Sequence, residues 1–211
     1  MPIQFTNCIN FFDKKILQEL NPICKTWVAG WCVRDYFSVG YITSDIDLYF
    51  DSEEEFSKCY IYFLTLNYET FEKRAQLLFE NDNVVKIIYK KQKYDLVKKF
   101  FTDPKDCIDA FDFTVCCGAV DSTTVYHHET FFIDLSKKQL MINALPFPMS
   151  TMWRMQKYIQ KWFGICTEEM TKLATAISAL EIHKPLSEQP QAWQEAFETD
   201  WYRWRWFRSI D

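Results

Sequence analysis

Two hydrophobic periods run through this chain, one of two residues and one of three to four, and together they lay out its elements. In DIDLYF, residues 45–50, polar and apolar residues alternate. An extended strand there turns Asp45, Asp47, Tyr49 and Asp51 to one face and Ile46, Leu48 and Phe50 to the other. Apolar runs at 26–29, 84–89, 94–97 and 111–120 read as further strands. The polar turn at 90–93 makes a hairpin of 84–97, and the 111–120 run is expected to pair with a segment at about 124–134. Helical spacing appears at 10–20, where Phe12, Ile16 and Leu20 share a face and Asn21-Pro22 ends the run. It returns after Asp51-Ser52, which can cap a helix with Glu53, Glu54 and Glu55 in its first turn and a stripe of Phe56, Tyr60 and Phe63 or Leu64. Residues 33–37 form a short helix, and Asp103-Pro104 opens a helical turn. Residues 67–82 fit strand or helix equally. Beyond Asp134 the two-residue period stops, and 151–163, 167–180 and 188–207 read as helices. This order predicts an α/β (α+β) domain over residues 1–145 and a helical extension over 146–211.

Composition narrows the class. The 211 residues include 19 Phe, 11 Tyr and 8 Trp but only 4 Gly, which is the make-up of a globular protein with a sizeable core. Lys and Arg number 24 against 29 Asp and Glu, a net charge of -5. That excludes a uniformly basic, nonspecific nucleic-acid binder, so any such contact must come from local patches. The 8 cysteines show no CxxC spacing, and several sit in apolar runs such as FTVCCGAV. They are expected to be reduced thiols packed as small hydrophobes. With no signal-like start and no apolar run of membrane-spanning length, the expected location is the cytoplasm.

The candidate chemistry centres on residues 27–50. Two carboxylates on one strand face, anchored by an apolar opposite face, suit a divalent cation, which takes hard oxygen ligands. Gly30 ends the preceding strand, and the start of the helix after it offers free backbone N–H groups to a phosphate. His127 and His128, being adjacent on a strand, point to opposite faces and are read as an ordinary strand end. Lys90, Lys91 and Lys93 form either a patch for a polyanionic acceptor or a solvated hairpin turn. In WYRWRWFR at the C-terminal end, Arg203, Arg205 and Arg208 stand among tryptophans that either stack on bases or cover a helical core.

The segment G-W-C-V-R-D-Y-F followed by D-I-D-L-Y-F resembles the signature of the DNA polymerase β-like nucleotidyltransferase superfamily. Its nearest form is the head domain of class II tRNA nucleotidyltransferases and bacterial poly(A) polymerases, with G-G-x-V-R-D ahead of D-x-D. Phe111-Asp112-Phe113-Thr114-Val115 looks like that family's R-R-D-F-T-I-N-A segment. Ile133-Asp134-Leu135 falls where the family has a turn, and Trp153 to Tyr158 is similar to the start of its neck helices.

The resemblance implies a nucleotidyltransferase mixed sheet flanked by helices. It also implies transfer of a nucleoside monophosphate from ATP or another nucleoside triphosphate to a hydroxyl, the favoured acceptor being RNA, as in tRNA 3'-end processing. Asp45, Asp47 and Asp112 are then catalytic and hold two Mg2+ ions, with Mn2+ as an alternative, and Asp112 helps to deprotonate the acceptor. Gly30, Arg34, Asp35 and Ser44 are implied at the nucleotide. Independently of the family, Arg34 and Asp35 read as a helix-surface ion pair and Ser44 as a turn residue. The chain departs from the pattern at Trp31, in place of the second Gly, at Ala110 and Phe111, in place of the arginines, and at Cys116, in place of Asn. No E-D-x-x-R-like segment is present to template CTP and ATP. The alternatives are a nucleotidyltransferase acting on a protein or small molecule, as toxin-like and antibiotic-modifying members do, and a module that binds nucleotide or RNA without catalysis.

Overall fold

A computed structural model of the chain describes residues 3–6, the backbone alone there, and residues 15–42, 45–66 and 74–180. Its strands are β1 (Ile3–Thr6), β2 (Thr26–Ala29), β3 (Ile46–Phe50), β4 (Gln76–Glu80), β5 (Val84–Tyr89), β6 (Gln92–Val97), β7 (Gly118–Val120) and β8 (Thr124–His127), followed by the short pair β9 (Gln139–Leu140) and β10 (Gly164–Ile165). Its helices are α1 (Lys15–Leu20), α2 (Trp31–Val39), α3 (Glu53–Leu66), α4 (Pro104–Asp109), α5 (Phe131–Lys137), α6 (Pro148–Gln160) and α7 (Thr167–Ser178). Strands β1 to β8 form one mixed sheet in the order β1-β8-β7-β2-β3-β6-β5-β4. Within it β3 and β6 run parallel and the other neighbours antiparallel. This is the mixed sheet flanked by helices that the sequence led us to expect.

Alternation builds the two faces. Val28, Ile46, Leu48, Phe50, Val85, Ile87 and Leu96 turn to the main core, where Leu17, Leu20, Phe56 and Phe63 of α1 and α3 cover them. Burying side chains of this size contributes about 1.5–3 kcal/mol each. The opposite face carries a smaller cluster of Trp27, Ala29 and Ala119 under Cys107 and Ile108 of α4. Helix α4 starts where Asp103 predicts: its side chain accepts from the N–H groups of Lys105, at 2.7 Å, and Asp106, at 3.0 Å. Since α4 covers only part of this face, the strand ends beyond it border a cleft.

Three sequence expectations need correction. The 111–120 run is not one strand: Thr114–Cys116 is a 3-10 turn, the Thr114 N–H donates to the Met141 carbonyl, and only β7 joins the sheet. The run is buried on both sides, and continuous apolarity does not distinguish a buried turn from a buried strand. The segment expected to pair through residue 134 leaves the sheet after His127, and Asp134 lies in α5, where its carboxylate accepts from the hydroxyls of Thr114 and Thr130. The hairpin turn is also tighter than expected. Lys90 and Lys91 alone make it, at φ 49° and 68°, a left-handed pair usually given to Asn-Gly.

The ambiguous 67–82 stretch contains β4, and residues 67–73 lie outside the described part. The expected helices at 151–163 and 167–180 appear as α6 and α7, while 188–207 lies outside the described residues. The boundary expected at residue 145 falls between β9 and α6, and the core continues across it, because Tyr158 and Phe163 are buried in the main cluster. Among the described residues no helix is long and apolar enough to cross a membrane, and the cysteines carry free thiols, buried except for Cys166.

Candidate active site

The cleft, about 580 Å3, opens at the β3 and β6 ends of the sheet and is closed from the side by the 110–116 turn and by α6. Asp45 and Asp47 enter it from β3 and the residue before it, on the face that alternation assigned to them. Asp47 stands opposite Asp95 on the parallel strand β6, and Asp95 stands opposite Lys86 on β5. A row of three charged residues therefore crosses three adjacent strands, about 4.8 Å apart by ordinary sheet spacing. The Lys86 ammonium donates to the Asp95 carboxylate and lies 3.7 Å from Asp45 Oδ2.

Asp112 reaches the same cleft from the other wall. Its Oδ1 accepts from the Phe113 N–H at 3.0 Å, and its Oδ2 accepts from Arg154 Nε of α6 at 2.5 Å. Lys99 also lines the cleft, its ammonium 5.3 Å from the Phe101 ring and 5.8 Å from the Phe147 ring. The Tyr49 hydroxyl, on the same wall, is pushed up by burial first and then by the charge of Asp47. Burial also lifts the Cys116 thiol to about 11, against the pull of Arg34. Both are protonated near pH 7, so the negative charge of the cleft comes from its carboxylates.

Gly30 ends β2 at φ 86° and ψ −132°, a conformation open to glycine alone, and N-caps α2. The Phe111 ring lies 3.7 Å from where a Cβ on Gly30 would stand. An aromatic ring thus covers the turn at which the resemblance implies close approach of a triphosphate. Arg34 and Asp35 form the anticipated pair, but it is buried and not on a helix surface. Arg34 is 1% exposed, donates from Nε to Asp35 Oδ1 at 2.9 Å, and sits 5.1 Å from the Trp31 ring and 5.0 Å from the Tyr158 ring. Neither residue lines the cleft. Ser44, Arg203 and Arg205 lie outside the described residues.

Lys91 and Lys93 are exposed and do not line the cleft, although Lys93 shares the strand face of Asp95 two residues away, and Lys90 is engaged by Glu19 Oε2 at 2.8 Å. His127 is buried with Nδ1 facing the His128 carbonyl at 2.7 Å, an ordinary strand end. Four cleft residues were not singled out from the sequence: Asp95, Lys86, Lys99 and Arg154. The available signal was the match of Asp95 to the polar face of its alternating strand, Y-D-L.

The donor set for a metal is all carboxylate, the hard oxygen chemistry that Mg2+ takes. Among the described residues no three His, Cys, Asp or Glu side chains are close enough to cage an ion.

An eight-stranded mixed sheet with an aspartate pair on a central strand beside an open cleft defines a nucleotidyltransferase fold, and solved structures bear this out. The chain matches the Thermotoga maritima CCA-adding enzyme complexed with tRNA at TM-score 0.62, with 17% identity, over 84% of this chain and 46% of that one. It matches the Bacillus stearothermophilus CCA-adding enzyme in complex with CTP at TM-score 0.55, with 14% identity, over 82% and 44%. A CCA-adding enzyme in complex with ATP gives 0.61, with 16% identity, over 88% and 48%. Identities this low establish the fold alone.

The chain itself belongs to the Gabija anti-defense 2 family, whose family model, "Gabija anti-defense 2 family protein", matches residues 3–138. A relative named "Gabija anti-defense 2", from Bacillus phage SPbetaL7, is 29% identical over 160 residues, 74% of this chain and 38% of the relative. The chain therefore spans well under two thirds of the curated relative and of these solved chains. The likeness to tRNA nucleotidyltransferases holds for the fold, and the family is a different one.

Proposed function

We propose that this chain is a divalent-metal-dependent nucleotidyltransferase that moves a nucleoside monophosphate from a nucleoside triphosphate to a hydroxyl acceptor, in the service of an anti-defence role. The supporting observation is the row of Asp47, Asp95 and Lys86 across three strands, with Asp45 beside it, in one cleft with Asp112. Asp45 and Asp47, with Asp95 and Asp112 near them, would hold Mg2+ or Mn2+. When bound, the ion supplies positive charge for the triphosphate and for the charge that develops during transfer.

The chain's own residues do the rest. Lys99 and Arg154 draw the triphosphate toward the carboxylates, and Arg154 fixes the rotamer of Asp112. Asp112 accepts one N–H donor on each oxygen and keeps a lone pair on each, so it is the residue that would help to take the acceptor's proton. The anti-defence role rests on the family name and moves the acceptor from a tRNA 3' end toward a component of the defence that the name refers to. A second reading, a module that binds nucleotide without transferring it, draws support from the Phe111 ring over Gly30 and from Trp31 in the turn.

The test incubates the protein with Mg2+ and each labelled triphosphate in the presence of RNA, of protein extract, or of no acceptor. Label transfer that disappears in Asp45→Ala and Asp47→Ala supports catalysis, and equal labelling by wild type and both variants refutes it. If no acceptor takes label, calorimetric binding of a triphosphate favours the binding module.

A further inference from the structure

Lys86 brings positive charge into the row of carboxylates that crosses the cleft. Its strand position is fixed twice over, since Lys86 faces Asp95 in the antiparallel β5–β6 pair and Asp95 faces Asp47 in the parallel β6–β3 pair. The ammonium is bonded to Asp95 and stands 3.7 Å from Asp45, so one cation bridges a carboxylate of β6 and the one just before β3. Arg154 does the same for Asp112 from the opposite wall, at 2.5 Å. Four carboxylates thus share the cleft with three cations, Lys86 and Arg154 bonded to them and Lys99 on the lining, so before nucleotide enters a single divalent ion already outweighs the charge they leave. A second divalent ion would enter beside an ammonium that competes for the same oxygens, at distances where like charges repel strongly in a partly buried site.

We propose that Lys86 serves as the second positive centre of this cleft, so that the chain holds one divalent cation with its nucleotide where two would otherwise be expected. This rests on the nucleotidyltransferase reading and specifies how its charge is arranged. Lys86 holds the Asp95 carboxylate in place through its hydrogen bond, and it limits the entry of metal on the β5 side. The cation that does bind is confined to the Asp45 and Asp47 side of the row.

Titration with Mn2+, followed by the electron paramagnetic resonance of the free ion, tests this directly. The protein is mixed with an equimolar nonhydrolysable α,β-methylene nucleoside triphosphate, and bound Mn2+ per ternary complex is counted. Wild type and Lys86→Arg are expected to bind one. Lys86→Gln is expected to bind two, and without nucleotide to bind its first Mn2+ at least tenfold more tightly than wild type does. A purely structural role for Lys86 would give weaker binding on its removal. Two ions in wild type, or unchanged count and affinity in Lys86→Gln, overturn the proposal and leave the metal-dependent reading intact. If Mn2+ binding to the complex is the same in Asp45→Asn and Asp47→Asn as in wild type, the metal-dependent reading falls and this proposal with it. Because the Lys86 side chain is 32% exposed, its replacement leaves no core cavity, and a circular dichroism melt verifies the fold of each variant.

Discussion

Replacing Arg34 by Ala separates two roles that the sequence leaves open, a phosphate contact and a structural tie. In the fold, the guanidinium is enclosed by Trp31 of its own helix, by Tyr158 of α6 and by Phe163, at 5.1, 5.0 and 5.8 Å, and is bonded to Asp35. Truncation removes these contacts and leaves the Asp35 carboxylate buried without the cation that accompanies it. Breaking a buried ion pair from one side costs about 3–5 kcal/mol. Each desolvated cation–π contact adds about 0.5–2 kcal/mol, part of which is already counted in that figure. A loss of about 4 kcal/mol is a large share of the roughly 5–15 kcal/mol that holds a typical domain folded. For a chain of this size it lowers Tm by about 8–16 °C. Urea unfolding followed by circular dichroism gives the stability, and calorimetry at a temperature where Arg34→Ala is still folded gives triphosphate affinity per folded molecule. Stability is expected to fall while affinity changes less than about threefold. A variant as stable as wild type that binds triphosphate tenfold more weakly would refute the placement of Arg34 as the tie between α2 and α6.

Three further outcomes follow from the same structure. Burial tends to raise the Glu19 carboxyl, but bonds from Lys90, Tyr62 and Tyr89 outweigh it and hold the folded value below the ordinary 4.5. The stability this supplies is present above pH 4.5 and is lost as pH falls through the lower folded value, so acid unfolding of Glu19→Gln should show a shallower pH dependence there than wild type. Thiol titration at pH 8 should leave the buried Cys107 and Cys116, raised to about 12 and about 11, unreactive until the chain unfolds, while Cys166 reacts at once; rapid native labelling of Cys116 would contradict its burial. Lys91→Gly relieves a side chain held at φ 68° and should raise unfolding free energy by about 1 kcal/mol in a denaturant titration, whereas a loss of stability would show that the turn is not left-handed there.

Most of the sheet was legible because its signal is local. Strand β3 shows it best: Ile46, Leu48 and Phe50 are buried and the intervening residues are not, as the period of two requires. The helix start at Ser52 was equally readable, its hydroxyl accepting from the Glu55 N–H at 3.3 Å. Legibility failed where burial was two-sided, at 111–120, and where a left-handed turn was built from two lysines and not from Asn-Gly. In both places tertiary contacts override local preference, the first through the Thr114 to Met141 hydrogen bond and the second through the fixed register of β5 on β6.

The site divides along the same line. Asp45 and Asp47 announce themselves because one strand carries both, but Asp95 and Lys86 acquire meaning only from which strands are neighbours. The parallel pairing of β3 with β6 sets Asp47 against Asp95, and a one-residue slip of β6 would turn Asp95 into the core and Tyr94 or Leu96 into the cleft. The burial of Tyr94 and Leu96 therefore fixes the place of the charge between them. Arg154 likewise lies 42 positions from the Asp112 it bonds, a separation that no local pattern spans. The resemblance pointed to the phosphate side of the cleft, where this chain substitutes Trp31 and Phe111. The fold brings Lys86 of the hairpin, Lys99 just after it and Arg154 of α6 to the lining of the same cleft. Lys86 and Arg154 thus share a cleft although they lie on a strand and a helix that no local pattern joins.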